Sequence, residues 1–383
     1  MTLAKQQRAI RILHVVGGMN RGGIETWLMH ILRNIDRDRF GMDFLVPTVQ
    51  PCAYDDEIRK LGSKVIPCLY PSKPWLYAGN LKRILREYGS YDIVHSHIHH
   101  YSGYILRLAH QAGIPLRIAH SHIDTSSTEA RAGWSRRLYL TLMKRWISRY
   151  ATHGLGCSSN AAADLFSSGW KTDPRWQLLY YGIDLAPFHN RVNSIQVRAE
   201  LGIPKDAFVI GHIGRFDRQK NHLFLLEIAA EVAKREPKMR LLLIGGGSLQ
   251  QEIEHKVAQM GLTERAIFLG SRSDVPRLML GAMNVFLFPS LYEGLPLVLL
   301  EAQAARLPCV FSDAITREVE EVKPLMQQMS LSQPASAWAK VVLAVRDTAN
   351  TISPKETLSL VEKSPFNIAQ SIQALKVIYT NEK

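Results

Sequence analysis

The chain has 383 residues, more than one compact core holds and enough for two domains of roughly 150–200 residues each. With 46% hydrophobic and 21% charged residues, 25 Gly and 18 Pro, it is neither a disordered nor a fibrous chain, and no apolar run approaches the roughly 20 residues of a membrane span. The formal charge of +13 is uneven, because residues 1–190 hold 24 Lys+Arg against 14 Asp+Glu (+10) and the remainder 23 against 20 (+3).

The opening MTLAKQQRAIRILHVVGG has a short apolar run, broken by His14 and ending in glycines without a small-residue cleavage site, so it does not read as a signal peptide. Cys52, Cys68, Cys157 and Cys309 are far apart and form no CxxC pair, which argues against a zinc site or a disulfide framework and for a reducing, cytoplasmic setting.

Short Val/Ile-rich runs then alternate with helix-like segments, the pattern of a parallel sheet covered by helices. Strands are expected at Ile10–Val16, Met42–Val46, Lys64–Pro67, Ile93–His97, Leu116–His120 and Gly154–Cys157. After the first, GGMNRGGIETWLMHIL brings Gly17, Gly18, Gly22 and Gly23 to a helix beginning near Ile24. Such a turn serves a phosphate or merely a tight strand-to-helix connection. Asp36-Arg37-Asp38 matches the Asp-x-Asp string of metal-dependent transferases, but it falls between the first helix and second strand and reads as turn chemistry. In IVHSHIHH, His95, His97, His99 and His100 invite a metal reading, but no carboxylate accompanies them in sequence, and a solvated or acceptor-facing strand end is expected instead. RIAHSHID adds His120 and His122. The segment Ala130 to Tyr150 mixes Arg136, Arg137, Lys144, Arg145 and Arg149 with Trp134, Leu138, Leu142 and Trp146. It reads as a basic-faced helix packed on its own domain or resting on anionic lipid headgroups; no recognition motif supports nucleic-acid binding.

Tyr180 to Asn193, rich in Gly, Pro, Asp and Asn, is the expected linker. A second alternating series follows, with strands at Phe208–Ile213, Arg240–Ile244, Ala266–Leu269, Val285–Phe288 and Cys309–Phe311, and helices near Leu223–Arg235, Leu249–Met260 and Leu297–Ala305. Arg215 and Lys220 in GRFDRQKN leave the carboxyl end of a strand, where open α/β sheets bind ligands, and two cations there suit a diphosphate as well as solvent. In LYEGLPLVLLEAQAAR, Glu293 sits in a Gly-Pro turn and Glu301 eight residues on, within a helix. The tail Phe366–Tyr379 has helical spacing, with Asn367 placed to cap it.

Together, the Gly-rich first turn, GRFDRQKN, LLLIGGGS, FLGSRSDVP and FPSLYEGLPLVLLEA resemble glycosyltransferase family 4, the retaining enzymes of GT-B architecture, and GGMNRGGIETWLM is similar to enzymes of exopolysaccharide or capsule synthesis. The resemblance implies two Rossmann-like α/β domains facing each other across a cleft: an acceptor-side domain at 1–185, a nucleotide-sugar domain at 186–365, and a helix at 366–383 returning to the first. It implies that Arg215 and Lys220 neutralise the donor diphosphate, Glu301 holds the ribose, and Glu293 meets the transferred sugar. Gly294, Leu295, Pro296 and Leu297 would lie against sugar and phosphates, Arg272 within the Gly270–Asp274 turn against the base, and Gly22 and Gly23 over the phosphates. A histidine near the sugar falls on His120 or His122, with His122 preferred. The expected substrates are a UDP-linked sugar and a glycan or polyprenyl-linked acceptor, with no metal or other cofactor and peripheral contact at the inner face of the plasma membrane. A sugar-nucleotide 2-epimerase and a non-catalytic sugar-nucleotide-binding component of an assembly complex are the alternatives.

Overall fold

A computed structural model describes residues 8–129 and 133–380. The first seven residues, where the signal-peptide reading begins, and residues 130–132, which open the basic segment, lie outside it. The chain forms two compact units, one running to Gly182 and resuming at Ile368, the other spanning Ile183–Asn367.

The first unit carries seven parallel strands: β1 (Ile10–Val15), β2 (Phe40–Val46), β3 (Val65–Pro67), β4 (Ile93–Ser96), β5 (Leu116–Ser121), β6 (His153–Gly156) and β7 (Trp176–Leu178). Their order is β3-β2-β1-β4-β5-β6-β7. The second unit repeats the plan with six: β8 (Phe208–Ile213), β9 (Met239–Ile244), β10 (Ala266–Phe268), β11 (Val285–Phe288), β12 (Cys309–Ser312) and β13 (Met326–Met329), in the order β10-β9-β8-β11-β12-β13. Helices cover both faces of such sheets, so the inner strands read as continuous apolar runs; Leu241, Leu242 and Leu243 of β9 are fully buried. Each sheet reverses its winding beside its first strand, between β1 and β4 and between β8 and β11, and at such switch points a crevice opens at the strands' carboxyl ends.

Two strands escape the sequence reading, β7 (Trp176-Gln177-Leu178) and β13 (Met326-Gln327-Gln328-Met329). Both are sheet edges with a solvent-facing side, so their sequences lack the apolar run that marks the inner strands. Around the Asp-x-Asp string, the helix Gly23–Asn34 ends before it and β2 begins after it; Asp36 Oδ1 accepts from the amides of Asp38 and Arg39, which is turn chemistry as expected.

The helix Trp134–Tyr150 packs Met143 and Ile147 inward, against the helix Ser102–Gln111. Its outer side leaves Trp134 81% and Leu138 64% exposed, with Leu142, Arg137, Arg145 and Arg149 also in solvent. The last helix, Ile368–Thr380, packs against Gly23–Asn34 and buries Tyr379 beside Phe40, their rings 6.2 Å apart.

Candidate functional site

In the second unit, the segment after β8 wraps over the end of β11. Asp217 starts a short turn by accepting from the Lys220 amide, and Asn221 takes the left-handed conformation (φ 54°) that asparagine tolerates, donating its side-chain amide to the Pro289 carbonyl at 3.1 Å. Leu291 in turn donates its amide to the Gln219 carbonyl at 2.8 Å. These ties carry Lys220 across the switch point to Glu293: Nζ and Oε1 are 2.5 Å apart, with both side chains largely buried. Gln219 Nε2 donates to the other Glu293 oxygen at 3.0 Å and to the Tyr292 carbonyl at 2.9 Å, while the ammonium lies 4.9 Å from the Phe288 ring centroid. An ammonium has three donors, so Lys220 can keep Glu293 and still meet an anion. The sequence did not single out Gln219 or Asn221; their one signal is adjacency to Lys220 in RQKN.

Glu301 stands apart from this pair, on the helix Leu297–Ala304. Its carboxyl makes no hydrogen bond or ion pair with the described residues, and desolvation pushes it up to about 7. An acceptor in that condition gains from donating hydroxyls. Between the two glutamates, Gly294, Leu295, Pro296 and Leu297 are buried as the chain enters the helix. Arg215 is 65% exposed and 3.5 Å from Asp217, and Arg272 forks onto both Asp274 oxygens at 2.8 Å, so each cation is steadied by a neighbouring carboxylate. The Gly-rich stretch after β9 fits closely beneath them: Gly245 takes φ 134° and lies against the Gly214 carbonyl, which a side chain would obstruct.

In the first unit, Gly22 caps the helix Gly23–Asn34 with extended backbone, and Glu25 supplies a carboxylate to its first turn beside Gly22. Gly23 is exposed, with open space where a side chain would stand.

The histidines of β1, β4 and β5 form one buried cluster. His120 lies within β5 and is fully buried; His122 lies just past its end, 9% exposed. His97 Nδ1 is 2.8 Å from His122 Nε2, and His97 Nε2 is 2.9 Å from His14 Nδ1. Beside this row, His95 Nε2 is 3.1 Å from His120 Nδ1, and His95 Nδ1 is 2.9 Å from the Tyr379 hydroxyl. Of the solvated or acceptor-facing strand end expected for His95, His97, His99 and His100, the solvated alternative is corrected for His95 and His97, because parallel pairing of β4 with β1 and β5 folds them into the interior. Burial holds all five imidazoles well below the usual histidine range, and therefore neutral. The nitrogens of His14, His95 and His97, and those of His97, His120 and His122, come within 4.8 Å of one another, and each of these rings already uses at least one nitrogen in a hydrogen bond to a neighbouring imidazole. His99 and His100 do gain a carboxylate, Asp164, with His99 Nε2 3.2 Å from its Oδ2; the helix Ser159–Phe166 delivers it from a distant part of the sequence. His14 and Tyr379 were not anticipated; a histidine inside an apolar strand is the signal that marks His14.

Comparison with known proteins adds a second line. Residues 21–187 match the family model described as Glycosyltransferase Family 4, and residues 193–346 the model described as Glycosyl transferases group 1. The chain is 38% identical over 374 residues to the putative glycosyltransferase EpsF of Bacillus subtilis (strain 168), covering 96% of each. It is 26% identical over 380 residues to the capsular polysaccharide biosynthesis glycosyltransferase CapH of Staphylococcus aureus, covering 97% of this chain and 99% of that one. Among solved structures, Anabaena HepE in complex with UDP and glucose superposes with a TM-score of 0.79 at 18% identity, over 97% of this chain and 99% of that one.

Proposed function

Because the chain belongs to glycosyltransferase family 4, with its GT-B pair of Rossmann-like units and a relative named for capsular polysaccharide biosynthesis, we propose that it transfers a sugar from a UDP-linked donor with retention at the anomeric carbon and without a metal ion. The observation that carries this reading is the Lys220–Glu293 pair at the switch point of the second sheet, with Glu301 unpartnered among the described residues on the following helix. Lys220 and Arg215 would balance the charge that develops on the departing diphosphate, the work a divalent ion does elsewhere. Glu301 would accept the ribose hydroxyls and Glu293 those of the sugar. A leaving phosphate oxygen would take the acceptor's proton, so no protein nucleophile is assigned. Gly294–Leu297 would line the sugar and phosphates, Arg272 the base, Gly22 and Gly23 the phosphates, and His122 the sugar. UDP is favoured as the carrier because HepE was solved with UDP and glucose on the same fold.

The acceptor reading rests on the first unit. There the exposed Trp134, Leu138 and Leu142, set four residues apart and flanked by Arg137, Arg145 and Arg149, form a strip suited to anionic headgroups, which favours a polyprenyl-linked glycan met at the inner membrane surface. No helix among the described residues is long and apolar enough to cross a membrane.

The test is isothermal titration with UDP, GDP and ADP, with and without EDTA, on wild type and Glu301→Ala. EDTA-insensitive binding of UDP that weakens in the variant is expected; binding of none of the three, or binding abolished by EDTA, contradicts the reading.

A further inference from the structure

The buried histidines of the first unit form two rows, and the hydrogen bonds along each row leave it two arrangements of protons, which differ in the end at which a donor is left over. A neutral imidazole carries one N–H and one lone pair, so in an end-to-end chain every ring must point its proton the same way. In the row His14–His97–His122, either all three carry the proton on Nδ1 or all three carry it on Nε2. The second arrangement leaves an N–H at His14 Nε2, an atom with no partner among the described residues, in a ring that is fully buried and stacked on Phe44. A buried donor without a partner costs about 1–3 kcal/mol. The first arrangement moves that N–H to His122 Nδ1, an atom equally buried and without a partner among the described residues, but one at the end of β5 on a residue that keeps 9% exposure, where a ligand oxygen can meet it as none can at His14.

The row Tyr379–His95–His120 is decided from its other end. The only partner of the Tyr379 hydroxyl among the described residues is His95 Nδ1, so the phenol proton is satisfied when it is donated there, which passes the leftover donor along the row to His120 near the strand end. His95 must then donate from Nε2 to His120 Nδ1, and His120 carries its proton on Nε2, an atom that also has no described partner. The two rows lie side by side, with 4.2 Å between the His95 and His97 rings and between the His120 and His122 rings. They deliver two N–H groups to one end of the sheet, where Trp27, another donor without a partner among the described residues, stands 5.4 Å from His120 ring to ring.

We propose that His14 and His97, and separately Tyr379 and His95, are positioning residues that lock His122 as the Nδ1–H tautomer and His120 as the Nε2–H tautomer. The strand end thereby presents hydrogen-bond donors to the oxygen atoms of a ligand, and His122 acts as a donor rather than as a base. The sugar as that ligand rests on the function proposed above; the tautomers do not.

The experiment is long-range 1H–15N correlation spectroscopy of the full chain labelled at histidine, without ligand, at pH 7.5, for wild type and Tyr379→Phe. Neutral histidine in water prefers the proton on Nε2, so Nδ1–H at His14, His97 and His122 is a distinctive signature. The expected result is that pattern, Nε2–H at His95 and His120, and a change of tautomer at His95 and His120 alone in Tyr379→Phe, a substitution that keeps the ring and its packing. An Nε2–H tautomer at His122, or a Tyr379→Phe spectrum that moves neither row or both, overturns the proposal. The spectra need no turnover, so failure to transfer sugar would count against the proposed function and leave this assignment standing.

Discussion

Lys220 Nζ and Glu293 Oε1 lie 2.5 Å apart although 73 residues separate them in sequence, and each is held by its own turn at the end of a neighbouring strand. Removing one partner of a buried pair leaves the other charge uncompensated, at about 3–5 kcal/mol in typical cases. Gln219 still donates to Glu293, which places Lys220→Ala toward the lower end. Lys220→Ala is therefore expected to lose at least tenfold in turnover and also to unfold at lower urea, whereas Lys220→Ala combined with Glu293→Gln recovers stability without activity. Urea midpoints alongside turnover separate the two effects; wild-type turnover in Lys220→Ala contradicts the donor assignment.

Glu301 gives opposite pH dependences for folding and for binding. Its folded carboxyl titrates at about 7 against an ordinary 4.5, so between these values the native chain holds a proton that the unfolded chain has released. Stability then falls as pH rises through that window, by at most about 3 kcal/mol. Ribose hydroxyls favour the ionised carboxylate, so UDP is expected to bind severalfold more tightly at pH 8 than at pH 6. Glu301→Gln flattens both profiles, and titration calorimetry and urea unfolding across that range check them.

Gly245 cannot accept a side chain. Its φ of 134° is disfavoured for L residues, and a Cβ would meet the Gly214 carbonyl. Gly245→Ala is expected to destabilise the chain by about 1–3 kcal/mol and to weaken UDP binding by displacing the backbone that leads to Arg215. Gly246→Ala, where the nearest neighbour is the Gln250 side chain at 3.5 Å, serves as the control.

Trp134 and Leu138 contribute little to the core of the first unit, so Trp134→Ser with Leu138→Ser is expected to leave urea unfolding within about 0.5 kcal/mol of wild type. The same change should reduce co-sedimentation with phosphatidylglycerol vesicles severalfold, and raised salt should reduce it further by screening Arg137, Arg145 and Arg149. Unchanged co-sedimentation contradicts the membrane assignment.

The sequence alone determined the repeated strand–helix plan, because inner parallel strands buried on both faces must be continuous apolar runs such as Leu241–Leu243. It also determined the family, through the spacing of Glu293 and Glu301 and the Arg215–Lys220 segment. The edge strands β7 and β13 stayed hidden because one side of each meets solvent and selects no apolar pattern. Only the tertiary structure decided the partnerships: Lys220 with Glu293, Asp164 with His99, and Tyr379 with His95, 284 residues away. Periodicity reports which side of an element is buried, but a hydrogen bond between distant elements depends on strand order and register, which bring β1, β4 and β5 side by side and gather His14, His95, His97, His120 and His122 into two buried rows.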